Sequence, residues 1–187
     1  MECKRGSIES ERLYLRVLAG DAVKEVVAYL RRNQTFLARW EATRSPEFFT
    51  YEYQFYQLAN ELEQIEAGNM FKVWLFRKVE PEQVIGSIAL NNIIRGCFHS
   101  CHVGYRLDQA MLNQGYMTEG LRAVINTAFT ELALHRLEAN IIPSNHASMR
   151  VVEKLGFYAE GLALKYLCIN GRWEDHVHMV LRNSAME

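Results

Sequence analysis

The run Leu112-Asn113-Gln114-Gly115-Tyr116-Met117 joins a strand-like segment to a helical one. Such a turn exposes unpaired backbone N–H groups at the positive end of a helix dipole. It is a ready anion site, and a pyrophosphate is a suitable guest. Gly115 lets the backbone approach the ligand closely, although one glycine at a helix start also serves as an ordinary turn. A second group of polar residues, Asn145-His146-Ala147-Ser148, follows about thirty residues on. Between the two lies Glu138, the only carboxylate among positions 138, 140 and 142, which strand alternation puts on one face. Glu119 falls in the first turn of the helix that Gly115 opens, where a carboxylate suits the dipole. Cys97, His99 and Cys101 alternate, with His102, His176 and His178 elsewhere, so a zinc site is imaginable from these types. No Cys-x-x-Cys pair accompanies them, structural zinc wants four ligands, and no metal is expected.

Patterning defines the elements that must position these groups. Leu13, Leu15 and Val17 alternate with polar neighbours as in a half-buried strand. Asp21 is a candidate N-cap for a helix carrying Val23, Val26, Val27 and Leu30. Thr50 is a candidate cap for a second helix, running to about Ala67 and ended by Gly68-Asn69. Strands follow at 71–76, 84–94 and from about Phe98 to Leu107, an antiparallel meander. A long amphipathic helix begins at Gly115, with Leu121, Val124, Ile125, Ala128, Phe129 and Leu132 on its apolar face. A strand at 136–142 ends at Pro143, a short helix runs from Asn145 to Leu155, and strands at 157–169 and 173–181 meet at Asn170-Gly171. Asn-Gly is a strong hairpin signal. The expected fold is therefore mixed α/β, a mostly antiparallel twisted sheet of about seven strands flanked by about four helices. With no internal repeat or linker, one domain over residues 1–187 is the simplest organisation.

The 187 residues carry a net charge of −1, with 21 Lys+Arg against 22 Asp+Glu. That balance gives no basic excess for a nucleic-acid partner. No apolar run reaches the ~18–20 residues of a membrane span, and the polar start from Met1 to Ser10 does not read as a signal peptide. Cys3, Cys97, Cys101 and Cys168 show no disulfide spacing. The expected address is the cytoplasm.

The segment 112–117 resembles the pyrophosphate loop of the GNAT superfamily of N-acetyltransferases. The stretch from Asn145 to Val151-Val152-Glu153-Lys154-Leu155-Gly156-Phe157 resembles the helix and Glu-Lys-Leu-Gly-Phe ending of the same family. Glu11-Arg12-Leu13-Tyr14-Leu15-Arg16, Gly115-Tyr116-Met117-Thr118-Glu119, His135-Arg136-Leu137-Glu138-Ala139 and Asn170-Gly171-Arg172-Trp173-Glu174-Asp175-His176 are similar to the RimJ/RimL branch, the ribosomal-protein N-acetyltransferases. The likeness covers nearly the whole chain. Two positions depart from the general loop: Leu112 stands where it carries Gln or Arg, and Met117 where it carries Gly or Ala, although the branch also has Met there. A cradle of backbone N–H groups survives both changes.

The resemblance implies acetyl transfer from acetyl-CoA by direct attack of an amine on the thioester. An α-amino group, with pKa near 7.7–8.0, is roughly a tenth neutral at pH 7, whereas lysine is only about 0.04 % neutral. An N-terminal acceptor, such as that of a ribosomal protein, therefore needs little help from a base. Glu138 is the candidate base. The resemblance implies that Val103, Gly104 and Tyr105 line the thioester, in a strand that bulges open to offer N–H groups to the oxyanion. Asn113, Gln114, Gly115, Tyr116, Met117 and Thr118 would hold the phosphates, and Asn145 and Ser148 the cofactor arm. Ser148 is also the candidate proton donor to the leaving thiolate, with Tyr166 as an alternative. Trp40 and Glu41 would border the acceptor, and relatives in the branch imply a homodimer. Two other readings stay open. A small amine such as a polyamine or amino-sugar is disfavoured by the few carboxylates near the acceptor region, Glu41 and Glu47. A non-catalytic acyl-CoA-binding module is the other.

Overall fold

The computed structural model describes residues 7–187; Cys3 and the start of the polar N-terminal segment lie outside them. In chain order the strands are β1 (Ile8–Glu9), β2 (Leu13–Arg16), β3 (Phe71–Arg77), β4 (Glu80–Ile94), β5 (Ser100–Leu107), β6 (Arg136–Ile141), β7 (Tyr158–Ile169) and β8 (Arg172–Arg182). The helices are α1 (Val23–Leu37), α2 (Tyr51–Glu66), α3 (Tyr116–Thr130) and α4 (His146–Glu153). The sheet runs β1-β2-β3-β4-β5-β6-β8-β7. The fold is the expected mixed α/β sheet with four helices. Among the described residues the sheet has eight strands, because the two-residue β1 pairs with β2.

Two apolar clusters fasten the helices. Leu13, Leu15, Val73, Leu75 and Ile88 pack on one face against Leu121, Val124 and Ala128 of α3 and Val152 of α4. Trp74, Phe76 and Val84 pack on the other against Val26, Tyr29 and Leu30 of α1 and Leu58 of α2. Each fully buried Leu, Ile or Val contributes ~1.5–3 kcal/mol over its exposed state. Beyond β5 only the first face continues, through Leu137, Ala139, Ile141 and Met179. The opposite face of β6 and β8 carries Glu138, Asn140, His176 and His178, and it adjoins the end of α1.

Local chemistry sets the boundaries. The Tyr53 N–H donates to Thr50 Oγ1 at 3.3 Å, which caps α2 as its sequence predicts. Asp21 caps nothing. It lies inside a 3₁₀ turn, Gly20–Ala22, that leads into α1, whose N-cap is Ala22 without a side-chain bond. Phe98 is half exposed in the turn before β5, which begins at Ser100. Cys97, His99 and Cys101 accordingly do not share a strand face: Cys97 is exposed, Cys101 is buried, and His99 has φ 42° in the turn.

All neighbouring strands are antiparallel except β5 and β6, which pair in parallel at Ser100↔Arg136, Cys101↔Leu137 and His102↔Glu138. From there they part. β5 stays with β4 as far as Leu107↔Gly86, and β6 stays with β8 as far as Ile141↔Val177. The irregularity next to this fork corrects the sequence expectation. It lies in β4, between Asn91↔His102 and Ile94↔Ser100, with Asn92 at φ 52°, while β5 passes through Gly104 in regular register with Ala89. An extra residue in β4 bends the pair where β5 must turn away from β6.

Candidate active site

The fork opens into a cleft of about 490 Å³. Val103, Gly104 and Tyr105 form one wall, and Ala139, Asn140 and Ile141 the other. α4 and its cap contribute Ser148 and Asn145, the turn after α1 contributes Trp40 and Glu41, Leu112 comes from the approach to α3 and Met117 from its first turn. The backbone at Gly104 is uncrowded: an added Cβ would meet only Asn91 Nδ2, at 3.8 Å.

At one end stands the N-terminus of α3. Asn113 has φ 59° and Gly115 φ 80°, so the chain turns twice through the left-handed region before the helix starts. Gly115 has no capping side chain, and the first N–H turned back into the helix is that of Glu119, on Gly115 O at 3.0 Å. The N–H groups of Tyr116, Met117 and Thr118 are therefore left for a ligand, with the helix dipole behind them. This donor set fits the pyrophosphate of acetyl-CoA. Met117 does not crowd it, because its side chain is buried in the core.

Arg12 braces this loop, a role the sequence did not disclose. Its Nη1 donates to Gln114 O at 3.0 Å, and its guanidinium lies 4.5 Å from the centre of the Tyr116 ring. Glu119 fixes Arg12 in turn, accepting from Arg12 N at 2.7 Å, Arg12 Nε at 2.7 Å and Ser10 Oγ at 2.6 Å. Burial pushes the Glu119 carboxyl up, but these bonds outweigh it and hold it below the usual range. Glu119 thus ties β2 to α3. Asp108 performs a similar service for α1: it accepts from Arg32 Nε at 2.7 Å, Asn33 Nδ2 at 3.1 Å and the Ala110 N–H at 2.9 Å.

In the cleft, the Tyr105 hydroxyl lies 2.6 Å from Ser148 Oγ and donates to Ser148 O at 3.0 Å. Burial pushes the Tyr105 phenol up to about 12, partly opposed by the Ser148 bond, so it keeps its proton at neutral pH. Asn145 caps α4, accepting from the Ser148 N–H at 3.2 Å, which sets the serine in place.

Glu138 is not among the residues that line the cleft. Its carboxylate meets Arg136 Nη2 at 3.0 Å, His178 Nδ1 at 3.2 Å and His102 Nε2 at 3.6 Å. It sits in an ion cluster beside the fork. His176 does line the cleft. Its Nδ1 lies 3.0 Å from Glu174 O, and the Tyr166 ring stacks edge-on against it at 5.6 Å. The alternation of 176 with 178 in the sequence was the available signal for a shared face. Across the cleft, Arg106 Nη1 meets Glu41 at 3.4 Å. Among the described residues no group of three or more His, Cys, Asp or Glu is arranged to hold a metal.

Residues 12–158 match the family model of the acetyltransferase (GNAT) domain, and the chain belongs to that family. It is an acetyl-CoA-dependent N-acetyltransferase. The probable N-acetyltransferase YjcK of Bacillus subtilis is 35% identical over 176 residues, 94% of this chain and 97% of that protein. The ribosomal protein uS5-alanine N-acetyltransferase of Escherichia coli is 33% identical over 171 residues, 91% of this chain and 87% of its own. Among solved structures, the ribosomal-protein-S5-alanine acetyltransferase of Vibrio fischeri superposes with a TM-score of 0.92 at 36% identity, covering 97% of this chain and 99% of that one. RimJ of Mycobacterium smegmatis, in complex with CoA-disulfide, shares the fold at a TM-score of 0.90 and 21% identity, over 98% of this chain and 90% of its own.

Proposed function

We propose that this enzyme acetylates the N-terminal α-amine of a protein, with a ribosomal protein as the acceptor class. The observation that carries the reading is the cleft that crosses the sheet at the fork, with a pyrophosphate cradle on the α3 side and Trp40 and Glu41 on the α1 side. Relatives named for acetylating a ribosomal protein's alanine align with it nearly end to end, at 33% and 36% identity.

In this reading the α3 N–H groups and Asn145 hold acetyl-CoA, and the acceptor arrives over Trp40 and Glu41. The amine lone pair attacks the thioester carbonyl carbon, and those backbone N–H groups of Val103, Gly104 and Tyr105 that point away from β4 meet the developing oxyanion. As the C–S bond breaks, the Tyr105–Ser148 pair gives the thiolate its proton. The leaving thiol, with an ordinary pKa near 8.5, asks little of that donor. Glu138 organises the ion cluster beside the cleft. The enzyme works as one domain over residues 1–187, in the cytoplasm. Exposed Leu162, Leu164 and Trp173 on the β7–β8 hairpin support a homodimer.

The test is free-thiol release from acetyl-CoA against peptides beginning in Ala or Ser, polyamines, and peptides whose only free amine is a lysine. Selective turnover of the peptide α-amines is expected. Turnover confined to polyamines would reassign the acceptor to small molecules.

A further inference from the structure

We propose that His176 is the general base that takes the acceptor's proton. This rests on amine acetylation in the cleft and not on which amine is used. β8 alternates, with Val177 and Met179 packed into the core and His176 and His178 on the opposite face. The register Ile141↔Val177 puts His176 at the far end of the β6–β8 ladder, where β6 and β5 have separated. The ring is only 3% exposed, yet it lines the cleft. Its protonation pattern follows from its partner. A carbonyl oxygen can only accept, so the Nδ1 that faces Glu174 O at 3.0 Å carries the hydrogen. In the neutral ring, Nε2 then holds the lone pair. Tyr166 packed against the ring helps hold this orientation. A base with a fixed tautomer and little freedom to rotate meets the geometric demand of proton transfer.

The neighbouring charges leave this nitrogen free for the substrate. On its own strand, the Asp175 carboxylate accepts from the Lys165 N–H of β7 at 2.8 Å, Glu174 pairs with Arg172 at 3.8 Å, and His178 faces Glu138. Across the cleft, Arg106 of β5 is matched by Glu41, with Arg39 beside it at the end of α1. Tyr105 is bonded to Ser148, and His146 of α4 completes the titratable lining.

The protons balance as follows. The acceptor enters as an ammonium and passes one proton to Nε2, giving an imidazolium that later releases it to solvent. The freed lone pair forms the C–N bond. A second proton leaves the tetrahedral nitrogen as the C–S bond breaks, and it ends on the coenzyme A sulfur through the Tyr105–Ser148 pair.

The test compares wild type with His176→Asn, whose amide can keep the bond to Glu174 O, and with His176→Gln. Profiles of kcat/KM against pH are measured with an Ala-starting peptide. Wild type uses the ammonium form of the acceptor. Both variants should follow only the acceptor's neutral fraction: roughly 50-fold below wild type at pH 6, converging with it near pH 9. Acetyl-CoA affinity by calorimetry should be unchanged, and added imidazole should restore part of the loss in His176→Ala. Equal losses at pH 6 and pH 9, or activity within about threefold of wild type at pH 6, would overturn the proposal. So would the same pH signature appearing in Glu138→Gln or His178→Asn. If wild-type enzyme turns over only small amines, the α-amine reading fails by itself. The same profiles run with that amine then test the base, with convergence moved to near the amine's own pKa.

Discussion

The role proposed for Tyr105 and Ser148 at the leaving group predicts that their substitutions behave as one unit. In Ser148→Ala the phenol keeps its bond to Ser148 O, so kcat should fall about tenfold. In Tyr105→Phe both contacts are lost, and kcat should fall about 10²-fold, the low end for acid–base catalysis. The double variant should be little worse than Tyr105→Phe, since neighbours in one network do not add. Steady-state kcat at saturating acetyl-CoA reads all three. Gly115 makes a separate claim. At φ 80° an alanine pays roughly 1–2 kcal/mol of left-handed strain, and its Cβ would come within 3.4 Å of Arg12 Nη2. Gly115→Ala should therefore weaken acetyl-CoA binding about tenfold in a calorimetric titration, with kcat at saturation largely retained.

At the scale of elements, the helices are docked by polar contacts whose strength depends on ionisation. Glu119 and Asp108 both have folded-state pKa values below their ordinary ones, because hydrogen bonds outweigh the upward push of burial. A lowered carboxylate contributes stability that is present above its unfolded pKa and is lost as pH falls through the folded value. The melting temperature should accordingly drop below about pH 4.5, and Glu119→Gln with Asp108→Asn should be less stable at pH 7 and less sensitive to acid. Thermal melts from pH 3 to pH 7 measure this. α2 is held to β3 by Lys72 and Glu61, 2.5 Å apart and each 8% exposed. Burial pushes the Lys72 ammonium down to about 8, against the pull of Glu61. Lys72→Met strands a buried carboxylate and should cost about 3–5 kcal/mol in urea melts, whereas Lys72→Met with Glu61→Leu should cost far less. Local rules were readable at this scale. Thr50 capped α2, and Asn170-Gly171, at φ 49° and 74°, made the β7–β8 turn. What could not be read came from distant sequence. The Arg12–Gln114 bond spans 102 positions, and the Glu138 ion cluster depends on β5, β6 and β8 meeting in space. Strand alternation put Glu138 and Asn140 on one face, but it did not say that only Asn140 would line the cleft. In the sequence His176 and His178 read as candidate metal ligands; the Glu174 carbonyl set against His176 Nδ1 is visible only in the fold.

Across the whole molecule, the order of layers decides where each substrate comes in. β3 is covered on both faces, by α3 on one side and by α1 and α2 on the other. β6 and β8 are covered on one face only, and that asymmetry leaves the face of Asn140 and His176 open toward the end of α1. The tip of the last hairpin reaches across: Asn170 Nδ2 donates to Ala38 O at 2.5 Å and Thr43 Oγ1 donates to Asn170 Oδ1 at 3.3 Å. Asn170→Ala should loosen this strap. We expect a higher KM for long peptides with little change for a dipeptide, compared by thiol release over a peptide-length series.

The fork between β5 and β6 has a consequence for the lifetime of the protein. Two antiparallel half-sheets meet in the three residue pairs of that seam, with helices lying across it. A cosubstrate bound there belongs to the native state alone and adds stability in proportion to the logarithm of its excess, ~2.7 kcal/mol at a hundred times its Kd. Where cleavage waits on global opening, the rate of proteolytic degradation should fall about 100-fold at that concentration. An enzyme built on such a seam records the supply of its acyl donor in its own abundance as well as in its turnover.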